Sequence, residues 1–145
     1  MLDSAPEPEV VHIGPHRIVC GPDMYFAEFV GDLRLEHMPE VNAVGNRYVR
    51  RNGYKLILVD ASRAGTMTPE ARRMNVENLR KNPGLSATAI FGTSMVTRTI
   101  VTLLFKAMDL LSGREAAVAF FKTEAEARAW LDVQRVRLLA TRAGQ

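Results

Sequence analysis

Along this chain the spacing of apolar positions alternates between a period of two and a period near three and a half, which divides it into short segments. Residues 10–13 and 17–20 read as strand pieces around Gly14-Pro15, a turn signal, and Gly21-Pro22-Asp23 is a second turn. Residues 24–30, rich in aromatic and β-branched side chains, form a strand, and together these segments predict an antiparallel pair at the start. From Leu35 the period lengthens: Pro39 suits an early helical position, Val41, Val44, Tyr48 and Val49 recur at helical spacing, and Asn52-Gly53 is a C-terminal cap. Residues 54–59 are a nearly continuous apolar strand of the kind covered on both faces, ending at Asp60. A loop over 61–67 then leads to Thr68-Pro69-Glu70, an N-cap, a first-turn proline and an early acid, for a helix that Asn82-Pro83-Gly84 stops near Lys81. Residues 87–91 are a short strand, and Gly92-Thr93-Ser94 turns, with Thr93 or Ser94 as N-cap, into a long helix over 95–111. Residues 116–121 are the last strand. Thr123 caps the last helix with Glu126 at the capping-box position, and Ala127, Trp130, Leu131 and Val133 are the inward candidates.

The order β-β-α-β-α-β-α-β-α implies parallel strands joined by helices, with the early strands as a mixed edge. The predicted fold class is α/β: an open sandwich of four helices on a small mixed, mainly parallel sheet of about five strands. A chain of 145 residues fits one domain, and no Pro/Gly/Ser-rich linker divides it. Residues 10–140 are therefore read as a single domain behind a disordered leader over 1–9. That leader is acidic and lacks the basic and apolar regions of a signal peptide. The single cysteine, Cys20, excludes an internal disulfide and fits a reducing compartment. No run of about 18 apolar residues predicts a membrane span. The expected location is cytoplasmic.

Charge is unevenly placed. Residues 1–40 hold eight acidic and two basic side chains, whereas 41–145 hold eight acidic and seventeen basic ones, for a net +3. Basic surface of this kind attracts nucleic acid, anionic lipid or acidic protein. No aromatic-interleaved basic motif or helix-turn-helix spacing points to nucleic acid.

Chemistry-bearing residues gather in one place. Asp60, Ser62, Thr66 and Thr68 fall at the C-terminal end of a central strand, where open α/β sheets bind ligands, and the next helix points its N-terminal amides there. The plain alternative is that Asp60 and Ser62 bond loop amides while Thr68 caps a helix. Phosphorylation of Ser62, Thr66 or Thr68 would add a near-divalent charge at that helix terminus. On the helix, Arg72 and Arg73, with Arg80 and Lys81, either orient an acidic partner or are a solvated face. Gly92-Thr93-Ser94 lacks the phosphate-loop pattern. His12, His16 and Cys20 share strand parity, but a straight strand would separate each pair by roughly 13 Å, too far for one metal, and His37 stands alone. No nucleophile has an evident base and no carboxylate pair shares a cleft, so no catalytic residue, metal or cofactor is assigned. The helix over 95–111 is apolar around more than half its circumference. Ile100, Leu103, Leu104, Phe105 and Met108 mark either deep burial or a ligand pocket or interface, including a homodimer contact.

Four stretches carry a family resemblance: Leu56-Ile57-Leu58-Val59-Asp60-Ala61-Ser62, Ala87-Thr88-Ala89-Ile90-Phe91-Gly92, the helix through Thr99-Ile100-Val101-Thr102-Leu103-Leu104-Phe105, and Ala119-Phe120-Phe121-Lys122-Thr123-Glu124-Ala125-Glu126-Ala127-Arg128-Ala129-Trp130-Leu131. In this order they resemble the STAS domain of bacterial anti-sigma-factor antagonists, most closely its SpoIIAA-like subgroup, which is also similar to the CRAL-TRIO lipid-binding fold. The resemblance implies a non-enzymatic regulatory domain in signalling. Its protein partner would be of regulatory or anti-sigma type, and its interface would be formed by Asp60, Ser62, Thr66, Thr68, Glu70, Arg72 and Arg73. The alternative is a carrier of an apolar small molecule or lipid. The antagonists are switched at a serine in an Asp-Ser-Ser-Gly-like motif opening the second helix. Here the matching stretch reads Thr66-Met67-Thr68-Pro69-Glu70-Ala71, and the acceptor slot falls near Pro69 or Glu70. The usual phosphoserine switch is therefore not expected.

Overall fold

The computed structural model describes residues 7–94 and 116–144. Six strands form one sheet in sequential order: β1 (Glu9–Ile13), β2 (His16–Cys20), β3 (Met24–Leu33), β4 (Tyr54–Met67), β5 (Leu85–Phe91) and β6 (Ala116–Phe121). The described helices are α1 (Met38–Asn52), α2 (Pro69–Lys81) and α3 (Glu124–Ala143), with a 3-10 turn at Leu35–His37. The helix expected over 95–111 lies outside the described residues, and with it Ile100, Leu103, Leu104, Phe105 and Met108.

The start of the chain makes three strands, not a pair. Ile13 pairs with His16 across the two-residue turn Gly14-Pro15, and β2 pairs antiparallel with β3 from Arg17↔Glu28 to Cys20↔Tyr25. Pro15 fixes its own φ negative, which leaves the hairpin turn that takes its positive φ at the first residue, and Gly14 supplies +56°. From β3 onward every pairing is parallel and each strand steps to the next position. Crossovers of one hand that advance in one direction place their helices on one face, which is where α1 and α2 lie against each other.

Strand parity divides the core. Ile13, Ile18, Cys20, Tyr25 and Ala27 pack on Val44 and Tyr48 of α1, whereas Leu56, Leu58, Ala87 and Ala89 pack on Ala127, Leu131 and Leu138 of α3. The central strand β4 is thus covered on both sides, as its apolar run predicts. Tyr48 donates through its hydroxyl to the Gly21 carbonyl at 2.6 Å, pinning α1 to the β2–β3 turn. Asp23 in that turn accepts from Tyr54 at 2.9 Å and pairs with Arg135, which ties the turn to β4 and α3. Thr68 and Thr123 are the N-caps of α2 and α3, accepting from the Ala71 and Glu126 amides, and Gly53 ends α1.

Two expectations need correction. Residues 61–67 are not a loop: β4 continues to Met67 because the tail of β3 runs beside it, pairing Val30↔Arg63, Gly31↔Ala64 and Leu33↔Met67 through two register shifts. Val133 does not face inward. A helical stripe from Ala127 and Leu131 continues at Gln134 and Leu138, all four buried, while Val133 sits two residues from Leu131 and is 64% exposed.

That register of α3 has a measurable consequence. Leu131→Ala lowers unfolding free energy by about 2–5 kcal/mol in urea titrations, whereas Val133→Ala changes it by about 0.5 kcal/mol or less. The reverse ranking would mean that α3 presents a different face to the sheet.

Candidate functional site

The extension of β4 governs how the predicted site is laid out. Asp60, Ser62, Thr66 and Thr68 do not converge on one point. Asp60 to Met67 runs beside the five steps from Glu28 to Leu33 of β3, which at about 3.3 Å per residue spans roughly 17 Å. The residues form a ledge with three separate stations.

At the first, the Asp60 carboxylate accepts from the Ser62 amide at 3.0 Å and the Ser62 hydroxyl at 2.7 Å, a local turn-like bond. Beside Asp60 across the β3–β4 pairing, Glu28 is paired with Arg17 at 2.6 Å and lies 4.0 Å from Arg63. At the second station, Thr66 donates from its amide at 2.9 Å and its hydroxyl at 3.3 Å to the Asp32 carboxylate on the β3 tail. The Thr66 amide bond is the main reason the Asp32 carboxyl is held below its ordinary pKa, with its side-chain bond and nearby Arg34 adding to it. Gly65 allows this approach, since a Cβ there would lie 2.3 Å from Asp32 Oδ1. At the third, Thr68 accepts from the Ala71 amide at 3.3 Å, and its own amide donates to the Leu33 carbonyl at 3.0 Å.

Two open grooves flank the third station. One, of about 610 Å³, is lined by Asp32, Arg34, Leu35, Glu36, Thr68 and Glu70. The other, of about 740 Å³, runs between α1 and α2, with Leu35, Pro39, Ala43 and Met74 as apolar lining and Glu70, Arg73, Glu77 and Lys81 as charged lining. Asn46 and Asn78 exchange amide hydrogen bonds of 2.8 and 3.2 Å between the two helices beside it. Glu70 borders both grooves and lies 3.9 Å from Arg73. The basic face read on α2 is interleaved with acid, since Glu77 also pairs with Arg80 and Lys81. Arg72 is partly buried and Arg73 exposed. Ala71 is the one fully buried residue of α2; Pro69, Glu70, Arg73, Glu77, Arg80 and Lys81 are exposed and the other six are half-buried.

The grooves present mixed charge over a shallow apolar lining. The hydroxyls of the ledge are engaged with carboxylates or backbone amides. Both buried histidines, His16 and His37, hydrogen-bond to backbone groups. Among the described residues no group of three or more His, Cys, Asp or Glu is placed to hold a metal. No helix among them is long and apolar enough to cross a membrane.

Asp32, His16 and His37 were not singled out by sequence reasoning as part of this region. His37 is not isolated: its ring centroid lies 4.6 Å from that of His16. Gly31 and Gly65, which in strands mark a bulge and a close backbone approach, become informative only once 61–67 is known to be a strand.

No protein-family model matches the sequence, and no curated protein matches it. Solved structures do match, and they show the fold: it is SpoIIAA-like. One is the anti-sigma factor antagonist SpoIIAA in its unphosphorylated form, with a TM-score of 0.51 and 14% identity over 84% of this chain and 97% of that one. Another is an uncharacterized DUF3478-family protein with a SpoIIAA-like fold from Shewanella loihica PV-4, with a TM-score of 0.50 and 13% identity over 86% of this chain and 91% of that one. These matches give no support to a link with CRAL-TRIO proteins.

The Asp32–Thr66 station has a testable pH dependence. A carboxyl whose folded pKa is depressed contributes stability that is present above its ordinary value and lost as pH falls through the folded one. The Thr66 amide is accordingly expected to resist hydrogen exchange near neutrality and to lose protection below about pH 4. Asp32→Ala removes the protection at all pH values, and a Thr66 amide that stays protected in that variant would show that the carboxylate does not hold it.

Proposed function

We propose that this chain is a non-enzymatic regulatory domain that binds a protein partner through the end of β4 and the outer face of α2, without the usual phosphoserine switch. The observation that carries the reading is the seating of α2. Among its described residues only Ala71 is fully buried, while Glu70, Arg73, Glu77 and Lys81 border an open groove with apolar lining. A helix displayed this way, with its charges of both signs held in register by i,i+3 and i,i+4 pairs, offers a surface that a complementary charged partner can read. The SpoIIAA-like fold supports the class, since one matching structure is an anti-sigma factor antagonist. Thr68 is spent as the α2 cap, and Pro69 and Glu70 occupy its first turn, where Glu70 brings a permanent negative charge to the positive end of the helix dipole. No second reading has an observation in its favour, because the apolar residues that motivate a carrier lie outside the described part of the chain.

A photo-crosslinking amino acid at Arg73 tests the interface in living cells, with the same residue at Val136 on α3 as a control. The reading predicts a discrete protein adduct from position 73 and not from 136. It also predicts that Glu70→Lys reduces the yield by about tenfold, the effect of losing roughly 1.4 kcal/mol of binding. Identical adducts from both positions, or none from position 73, would count against the interface.

A further inference from the structure

Two buried imidazoles stand behind the ledge. His16 on β2 is 1% exposed and His37 at the end of the 3-10 turn is 9% exposed. Their rings meet edge-on with centroids 4.6 Å apart. His16 Nδ1 accepts from the Val30 amide at 3.0 Å, while its Nε2 lies 3.2 Å from the Asp32 carbonyl, which requires that Nε2 carry the proton and donate. His37 Nδ1 accepts from the Arg34 amide at 3.0 Å. Its Nε2 rests against Gly14, where a Cβ would come within 2.7 Å.

Both rings therefore act as acceptors through Nδ1, and an imidazolium has no acceptor. Protonating either ring orphans a backbone amide of the 30–34 segment. Protonating both also sets two positive charges against each other in a buried place. The surrounding groups offer little relief. From β3 the titratable neighbour is Asp32, whose carboxylate is engaged by Thr66. Arg34 and Glu36 of the 3-10 turn and Glu40 of α1 are exposed. The β1–β2 turn brings Gly14 and Pro15, and β3 adds the Phe29 ring at 5.4 Å. Met67, Ala71 and Met74, packed on the adjoining cluster from β4 and α2, are apolar. Among the described residues no carboxylate hydrogen-bonds to either ring.

We infer that His16 and His37 form an acid-sensitive latch: neutral, they hold residues 30–37 in place, and protonation of either releases that segment and loosens the ledge. The segment carries Asp32, which holds Thr66, and Leu33, whose carbonyl takes the Thr68 amide, so its release reaches the α2 cap. Burial first, and the neighbouring His37 second, hold the His16 ring below the ordinary histidine range. A base whose folded pKa is depressed contributes stability that is complete above its ordinary value of 6.5 and is lost as pH falls below it. The latch is thus closed at neutrality and opens on acidification. The Leu56–Leu131 core lies on the opposite face of the sheet from these rings and keeps its packing.

Hydrogen exchange of the full chain, followed by NMR and expressed as protection over the unstructured rate, reads this directly. Between about pH 7.5 and pH 5.5, protection of the Val30 and Arg34 amides falls by about tenfold or more, while far-ultraviolet circular dichroism shows the chain still folded. The double variant His16→Gln with His37→Asn abolishes this difference. Unchanged Val30 and Arg34 protection, unfolding of the whole chain over the same pH range, or the same pH dependence in the double variant would overturn the latch. If circular dichroism shows that the variant does not fold, the wild-type ring resonances decide. A His16 ring titrating below pH 6.5 in step with the Val30 amide supports the latch, and a His16 ring titrating while that amide stays fixed refutes it.

Discussion

The parallel pairing of β3 with β4 is the constraint on which the rest of this structure depends. It begins as an ordinary central pairing at Met24↔Leu56, and it does not stop at the edge of the core. Two register shifts carry it to Leu33↔Met67, beyond the segment where the burial pattern of β4 changes from buried to exposed. Backbone groups that would need water or caps in a loop are instead held in a ladder. The outer part of the ladder has only the small Leu33–Met38–Ala71 cluster behind it. Polar contacts supply what packing does not: Asp32 holds Thr66, the Leu33 carbonyl takes the Thr68 amide, and two neutral imidazoles hold Val30, Asp32 and Arg34.

This arrangement separates stability from recognition. The inner half of the sheet, closed by α1 on one face and α3 on the other, carries the large buried side chains. The outer half carries exposed hydroxyls and charges on a frame that is ordered without being deeply buried. Helix α2 starts from this frame at Thr68 and is held to α1 through the Leu33–Met38–Ala71 cluster, with Val41 and Met74 beside it, and the Asn46–Asn78 amide exchange. A surface of that kind is suited to a partner that contributes the missing burial, because docking then covers an existing groove and does not require an opened core.

Much of the fold was legible in the sequence because its signals were local and strong. The apolar run before Asp60, Pro69 after Thr68, and the Thr123/Glu126 capping box each specify an element without reference to the rest of the chain. The SpoIIAA-like class followed from the order of such elements. What was not legible depends on pairing across long separations. Nothing within 61–67 says strand, since Ser62, Arg63 and Gly65 are ordinary loop residues. Only the β3 tail, about thirty residues earlier, makes them one. For the same reason the candidate residues Asp60, Ser62, Thr66 and Thr68 read as a cluster in sequence and are strung along a ledge in space. His37 looked solitary because its partner, His16, lies across β2, the β2–β3 turn and the whole of β3.

The central claim is that residues 61–67 form an ordered strand that frames the proposed partner surface. Amide hydrogen exchange across β4 near neutral pH tests it most directly. The account predicts that protection continues past Asp60 through Met67, weaker than at Leu56 and Leu58 but well above that of an unpaired segment. Exchange over 61–67 at the rate of an unstructured chain would contradict it, returning the segment to a loop and removing the frame from which α2 starts.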